Sequence, residues 1–103
     1  MTEWQFAQLD SSDELAQLHF FSMKKHQPDG DIEFAITVKE YAERNTQFMR
    51  YFAQADKMVN QKTAPFRPFG WGESLLQALS ECMNSVRRYP YEPAQEESQR
   101  ANP

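Results

Sequence analysis

An α+β domain is what this sequence predicts: an antiparallel sheet of three strands, with one main C-terminal helix packed on one face. Three observations predict it. Residues Ile32 to Tyr41 alternate, with Ile32, Phe34, Ile36 and Val38 on one side and Glu33, Ala35, Thr37 and Lys39 on the other, the period-2 pattern of a half-buried strand. Just before them, Gln27-Pro28-Asp29-Gly30-Asp31 carries a proline that pre-sets a corner and a glycine that accepts positive φ, which reads as a hairpin connection. Finally, Leu75, Leu76, Leu79, Cys82, Met83 and Val86 recur at helical spacing, making one apolar stripe.

Taken in order, residues 1–13 form an arm that docks on the core. Ser11 and Glu14 suit a short helix, whereas Trp4 and Phe6 suit a strand that would make the sheet four-stranded. Leu15 to Lys25 reads as the strand that pairs with Ile32–Tyr41 across the Pro-Asp-Gly turn. Residues 38–60 carry two patterns. Val38, Tyr41, Phe48, Phe52, Ala55 and Val59 fall at helical spacing. Yet Glu43-Arg44-Asn45-Thr46 makes a turn, and bulky residues then crowd both sides as strands favour. A third strand over about 48–56 is the expectation, because a lone hairpin is marginal and a helix needs a sheet to cover. Lys57 to Glu73 is then a long connection.

The helix is delimited by its own chemistry. Ser74 is an N-cap and Gln77 completes a capping box. Glu81, Asn84, Arg87 and Arg88 lie opposite the apolar stripe, the arginines at the negative end of the helix dipole. Pro90 ends it, since proline disfavours helical geometry in the residue before it. Residues 1–91 are expected to form one domain, and residues 92–103 a polar, disordered tail.

Composition bounds the function classes. The chain has 103 residues, 40% hydrophobic and 14% aromatic, with one cysteine. That is enough for a single core but excludes an intramolecular disulfide. No run approaches the ~20 apolar residues of a membrane helix, and Met1-Thr2-Glu3-Trp4-Gln5 lacks the features of a signal peptide. A reducing cytoplasm and no membrane partner are the expectation. The net charge of −4 is uneven: residues 1–36 carry seven acids against two lysines, and residues 37–90 carry eight basic groups against five acids. The overall sign argues against a bulk nucleic-acid binder, and the basic middle keeps the class open.

Motifs for chemistry are sparse. His19 and His26 have no close partner at zinc-ligand spacing. Cys82 lies on the apolar stripe, where a thiol is shielded and inert. Phe69-Gly70-Trp71-Gly72 leads into a helix N-terminus, where anions bind, but Gly-x-Gly matches no phosphate fingerprint. The glycines read instead as a sharp turn with the Trp71 indole on the sheet. The pairs Asp29/Asp31 and Glu40/Glu43 read as solvated charges. No catalytic residue, metal or cofactor is predicted. What remains is the segment from Asn60 to Trp71, in which Lys62, Phe66, Arg67, Phe69 and Trp71 combine cations and rings between prolines. That composition is that of an interface hot spot and also one that stacks on bases.

Gly72-Glu73-Ser74-Leu75-Leu76-Gln77-Ala78-Leu79, following three strands, resembles the small domain of HicB-type antitoxins. There a Gly-Asp-Thr/Ser-Leu-x-x-Ala-Leu segment opens the helix after a three-stranded sheet. Gly72, Ser74, Leu75, Ala78 and Leu79 match it. The resemblance implies the sheet-then-helix order. Toxin or DNA binding does not carry over, because the family's sheet is preceded by a different strand pattern and no DNA-binding segment follows here. The strand–helix order also resembles part of a double-stranded-RNA-binding domain, but Glu73, Ser74 and Leu75 stand where that family has lysines. The chain as a whole resembles a bacterial family carrying Gly-Trp-Gly…Ala-Leu-Ser-Glu-Cys…Tyr-Pro-Tyr-Glu, whose function is not known.

One helix on an aromatic-rich sheet leaves a face or edge apolar. Such a patch is usually an interface, and a twofold dimer is the economical way to cover it. The expectation is a small non-enzymatic protein-interaction module that homodimerises through its sheet and the Phe66–Trp71 loop. Two alternatives stand beside it. A nucleic-acid-binding domain would use Lys57, Lys62, Arg67, Arg87 and Arg88. A small-ligand or enzymatic pocket between sheet and loop would gather His19, Asn60 and Gln61.

Overall fold

A computed structural model describes residues 3–43 and 49–93. Four antiparallel strands form a meander in sequence order: β1 (Ala16–Gln27), β2 (Gly30–Tyr41), β3 (Tyr51–Ala55) and β4 (Phe69–Gly72). One helix, α1 (Leu75–Arg88), covers one face. The sheet therefore has four strands. The fourth comes from the segment that reads as loop in the sequence, while the N-terminal arm forms two short 3-10 helices, Glu3–Ala7 and Ser11–Asp13. Asp10 caps the second by accepting from Ser12 N–H at 3.0 Å.

The hairpin closes through Pro28 and Asp29, with Gln27 opposite Gly30 and Gly30 at φ 131°. That φ is open to glycine at little cost and to other residues rarely. The β1–β2 ladder then runs unbroken from Gln27/Gly30 to Ala16/Tyr41. Between residues 38 and 60 strand wins over helix, since β3 pairs with β2 from Glu40/Tyr51 to Ile36/Ala55. The turn expected over 43–46 lies, beyond Glu43, outside the described residues, as does the tail after Pro93.

β4 escapes notice in the sequence because it is short and its period-2 pattern alternates ring with glycine. Gly70 and Gly72 are buried under α1, while Phe69 and Trp71 point the other way. A Cβ on Gly70 would lie 2.5 Å from Ala78 O and 2.7 Å from Cys82 N; one on Gly72 would lie 2.6 Å from Ala78 N. The glycines are thus there for close approach of strand and helix rather than for a turn.

α1 begins with the Ser74 half of its capping box, while the Gln77 side chain reaches one residue further back than the N-cap, to Glu73. Ser74 Oγ accepts from Gln77 N–H at 3.1 Å, and Gln77 Oε1 accepts from Glu73 N–H at 2.9 Å. Ala78, Cys82 and Val86 are fully buried, with Leu75, Leu79 and Met83 half-buried beside them. Leu76, part of the stripe as read from sequence, is 73% exposed, and Ala78 takes its place against β4. Close approach to a glycine strand selects the small side chain over the large one. Opposing them across the core are Phe34, Ile36 and Val38 of β2, Ala53 and Ala55 of β3, and Val59.

Two long-range pins hold the far end. Lys25 Nζ donates to Val86 O at 2.7 Å and to Tyr89 O at 2.6 Å, placing a cation on the carbonyls that end the helix. Gln27 pairs reciprocally with the Tyr91 backbone: its Oε1 accepts from Tyr91 N–H at 2.8 Å and its Nε2 donates to Tyr91 O at 3.2 Å. Tyr91 then meets Phe34 edge-on at 6.0 Å. Glu92, assigned to the polar tail on sequence, donates its N–H to Gln61 Oε1 at 2.6 Å and accepts from Lys62 N–H at 3.2 Å.

Candidate interaction surface

Because α1 lies on one face only, the register of the strands determines what the other face presents. Leu18 stands opposite Lys39, Lys39 opposite Phe52, and Phe52 opposite Trp71. The next row, by the same pairing, is Phe20, Thr37, Gln54 and Phe69. Alternation along each strand keeps both rows on the face away from α1. This open face is apolar at its two edges and polar in its middle. Phe20 is 72% exposed and Leu18 47% on β1; Phe69 is 50% exposed and Trp71 37% on β4. Single exposed apolar residues are ordinary, whereas such rows on one face mark an interaction surface.

The rings are organised. The indole of Trp71 lies 4.6 Å from the Phe52 ring and stacks on Tyr41 at 6.4 Å; Phe52 also meets Phe69 at 6.2 Å. Burial, and secondarily the Glu14 carboxylate, push the Tyr41 phenol above its usual pKa, so it stays neutral at physiological pH. Between the two apolar edges runs a shallow depression lined by Thr37, Lys39, Phe52, Gln54, Asp56 and Arg67. Asp56 closes its end. Burial raises the Asp56 pKa, but hydrogen bonds from Lys57 and from Ala35 N–H outweigh this and hold it below the usual value. Lys39 and Arg67 have no ion-pair partner among the described residues.

The residues singled out in the sequence do not form one loop. Phe69 and Trp71 are on β4 and Arg67 is at the rim of the depression. Phe66 turns to the covered side: its backbone bridges Val59 and its ring packs edge-on against Tyr89 at 5.0 Å. Lys62 is exposed near Glu92, away from the rings. The cations of the nucleic-acid alternative are also dispersed. Lys57 is engaged with Asp56 at 3.0 Å and with Glu33 O at 2.7 Å. Arg87 and Arg88 line a separate cleft with Pro28, Asp29 and Glu92 beside the hairpin turn.

The pocket alternative finds no convergence of its polar groups either. His19 pairs with Glu40 at 3.0 Å. Asn60, at φ 59°, donates its N–H to Pro90 O, and Gln61 bonds Glu92. Cys82 is fully buried, and burial pushes its thiol up to about 11, so it remains protonated and donates to Pro68 O at 3.5 Å. Among the described residues no group of three or more His, Cys, Asp or Glu side chains is placed to hold a metal. Among the described residues no helix is long and apolar enough to cross a membrane.

Sequence reasoning missed Leu18, Phe20, Lys39, Tyr41, Phe52 and Gln54. Their signal is legible in hindsight: β1 is apolar on both parities, Leu18 and Phe20 on one and Phe21 and Met23 on the other. A strand facing a single helix needs only one apolar side. The match to HicB-type antitoxins falls on Gly72, Ser74, Leu75, Ala78 and Leu79, whose places follow from the capping box and the helix–β4 contact. No protein-family model, curated protein or solved structure matches the chain.

Proposed function

We propose that this protein is a small, non-enzymatic protein-interaction module that self-associates through its sheet, with the open face as its contact surface. The observation that carries this is the exposure of Leu18, Phe20, Phe69 and Trp71 on a face that no described element covers. Leaving that much apolar surface in water forgoes burial of roughly 25 cal/mol per Å², which contact with a second molecule restores. Trp, Phe and Arg side by side are the composition of interface hot spots.

Light scattering on the purified chain across a dilution series tests the proposal. A mass that falls from dimer to monomer on dilution supports it, and a monomer at every concentration overturns it. Phe20→Ser and Trp71→Ala then read which end of the face carries the contact. If both variants associate as the parent does, the open face is not the contact.

A second reading rests on Lys39 and Arg67, cations without ion-pair partners beside stacked rings, the arrangement that binds single-stranded nucleic acid. Excess absorbance at 260 nm on the eluting peak, lost at high salt, would favour it over self-association.

A further inference from the structure

We infer that two copies of this chain pair antiparallel through the free edges of their β1 strands, joining their sheets into one continuous eight-stranded sheet. The inference rests on the self-association proposed above and places its contact at the β1 end of the open face, leaving Phe69 and Trp71 on the opposite edge uncovered.

β1 is an edge strand of twelve residues, with β2 on one side and no described strand on the other. Which backbone groups it leaves free follows from the ladder. Ala42 N–H bonds to Leu15 O at 2.8 Å, and the register puts Leu15 opposite Ala42, one step beyond Ala16/Tyr41. Hydrogen-bonded and non-bonded pairs alternate along an antiparallel ladder, so Gln17, His19, Phe21, Met23 and Lys25 turn their N–H and C=O to β2. On the other side of β2, Tyr41 N–H bonds to Arg50 O and Ala35 O accepts from Asp56 N–H, which confirms the phase. Ala16, Leu18, Phe20, Ser22, Lys24 and His26 therefore point theirs to the open edge.

Such an edge invites another strand unless something blunts it. Here neither proline nor bulge interrupts β1. Its ends carry opposite charge: Asp10, Asp13 and Glu14 precede it, and Lys24, Lys25 and His26 close it. Only antiparallel self-pairing sets each acidic start against a basic end. A twofold axis through His19 places Leu18 opposite the partner's Phe20 twice over, burying the most exposed apolar pair of the open face. The same axis brings Lys24 alongside Glu14 of the other copy. Lys24 has no ion-pair partner among the described residues. Apolar match and charge match select one register.

The decisive variant is Ser22→Pro. It removes an N–H that points away from β2, so the β1–β2 ladder survives while the edge cannot complete its pairing. Ser22→Ala, which keeps that N–H, is the control. We expect Ser22→Pro to weaken dimerisation by about tenfold to a hundredfold, with an unchanged circular dichroism spectrum, and Ser22→Ala to dimerise as the parent. If Ser22→Pro unfolds, the charge pair decides: Lys24→Glu alone should weaken the dimer, and adding Glu14→Lys should restore it. A parent dimer that neither Ser22→Pro nor the charge variants disturb overturns the β1 edge and leaves self-association standing. A parent that is monomeric throughout removes both.

Discussion

The two faces of the sheet are built from the same strands and follow opposite rules. On β3 and β4 the face under α1 carries Ala53, Ala55, Gly70 and Gly72, whereas the open face carries Phe52, Gln54, Phe69 and Trp71. Apart from Tyr51 at the start of β3, which packs against the core, the larger side chains of these two strands are thus the outer ones. The helix lies so close to β4 that a single Cβ on Gly70 would be 2.6 Å from Glu81 Cβ. The volume of the core is supplied instead by β2, where Phe34, Ile36 and Val38 are fully buried. Proximity of the helix, rather than hydrophobicity, decides which residues go inside at that edge of the sheet. The open face is left with rings that its own fold does not bury.

The largest effect that separates the faces should come from Phe34→Ala. It empties the middle of the core, where the ring also meets Tyr91, and is expected to lower stability by about 3–5 kcal/mol in urea melts. A loss under 1 kcal/mol would mean that the covered face is not the core.

Gly70→Ala sharpens the claim about proximity. The atoms it meets are backbone and Cβ atoms of α1, which cannot swing aside, so a loss of about 1–3 kcal/mol is expected. Stability equal to the parent would show that β4 and α1 are further apart than described.

Lys25→Met removes the cation from Val86 O and Tyr89 O while keeping most of the apolar stem. The expected loss is about 1–2 kcal/mol, with faster amide exchange at the C-terminal turn of α1 and in the Tyr89–Tyr91 segment. Unchanged exchange there would reduce Lys25 to a surface charge.

The smallest effect on stability should come from Phe20→Ser, within about 0.5 kcal/mol because the ring is 72% exposed and surface changes are usually that small. Its effect should appear in the light-scattering mass instead. A stability loss as large as that of Phe34→Ala would mean that something covers the open face.

Much of the architecture was legible locally. The Pro-Asp-Gly turn, the alternation of β2 and the Ser74 N-cap each depend on residues within a few positions of one another, and each forms as read. The stripe of α1 was legible to within one residue, because Leu76 and Ala78 exchange roles only once β4 lies beneath them. β4 was not legible, since a ring–glycine alternation four residues long is indistinguishable from a turn until a helix needs the space. Of the surface residues, Phe69, Trp71 and Arg67 were picked out by composition. Phe66 was picked out with them and belongs to the covered side. Phe20 and Lys39 joined them only through cross-strand register.

By itself, then, the sequence determined the β1–β2 hairpin and its turn, where the helix starts and stops, and that its aromatics exceed what one small core needs. Those follow from dihedral preference, capping and periodicity, which act over a few residues. The tertiary structure decided which rings are buried, which cations meet backbone carbonyls sixty residues away and which edge of the sheet is free. Those depend on how closely α1 approaches β4 and on the pairing of strands distant in the chain, and no local pattern encodes either.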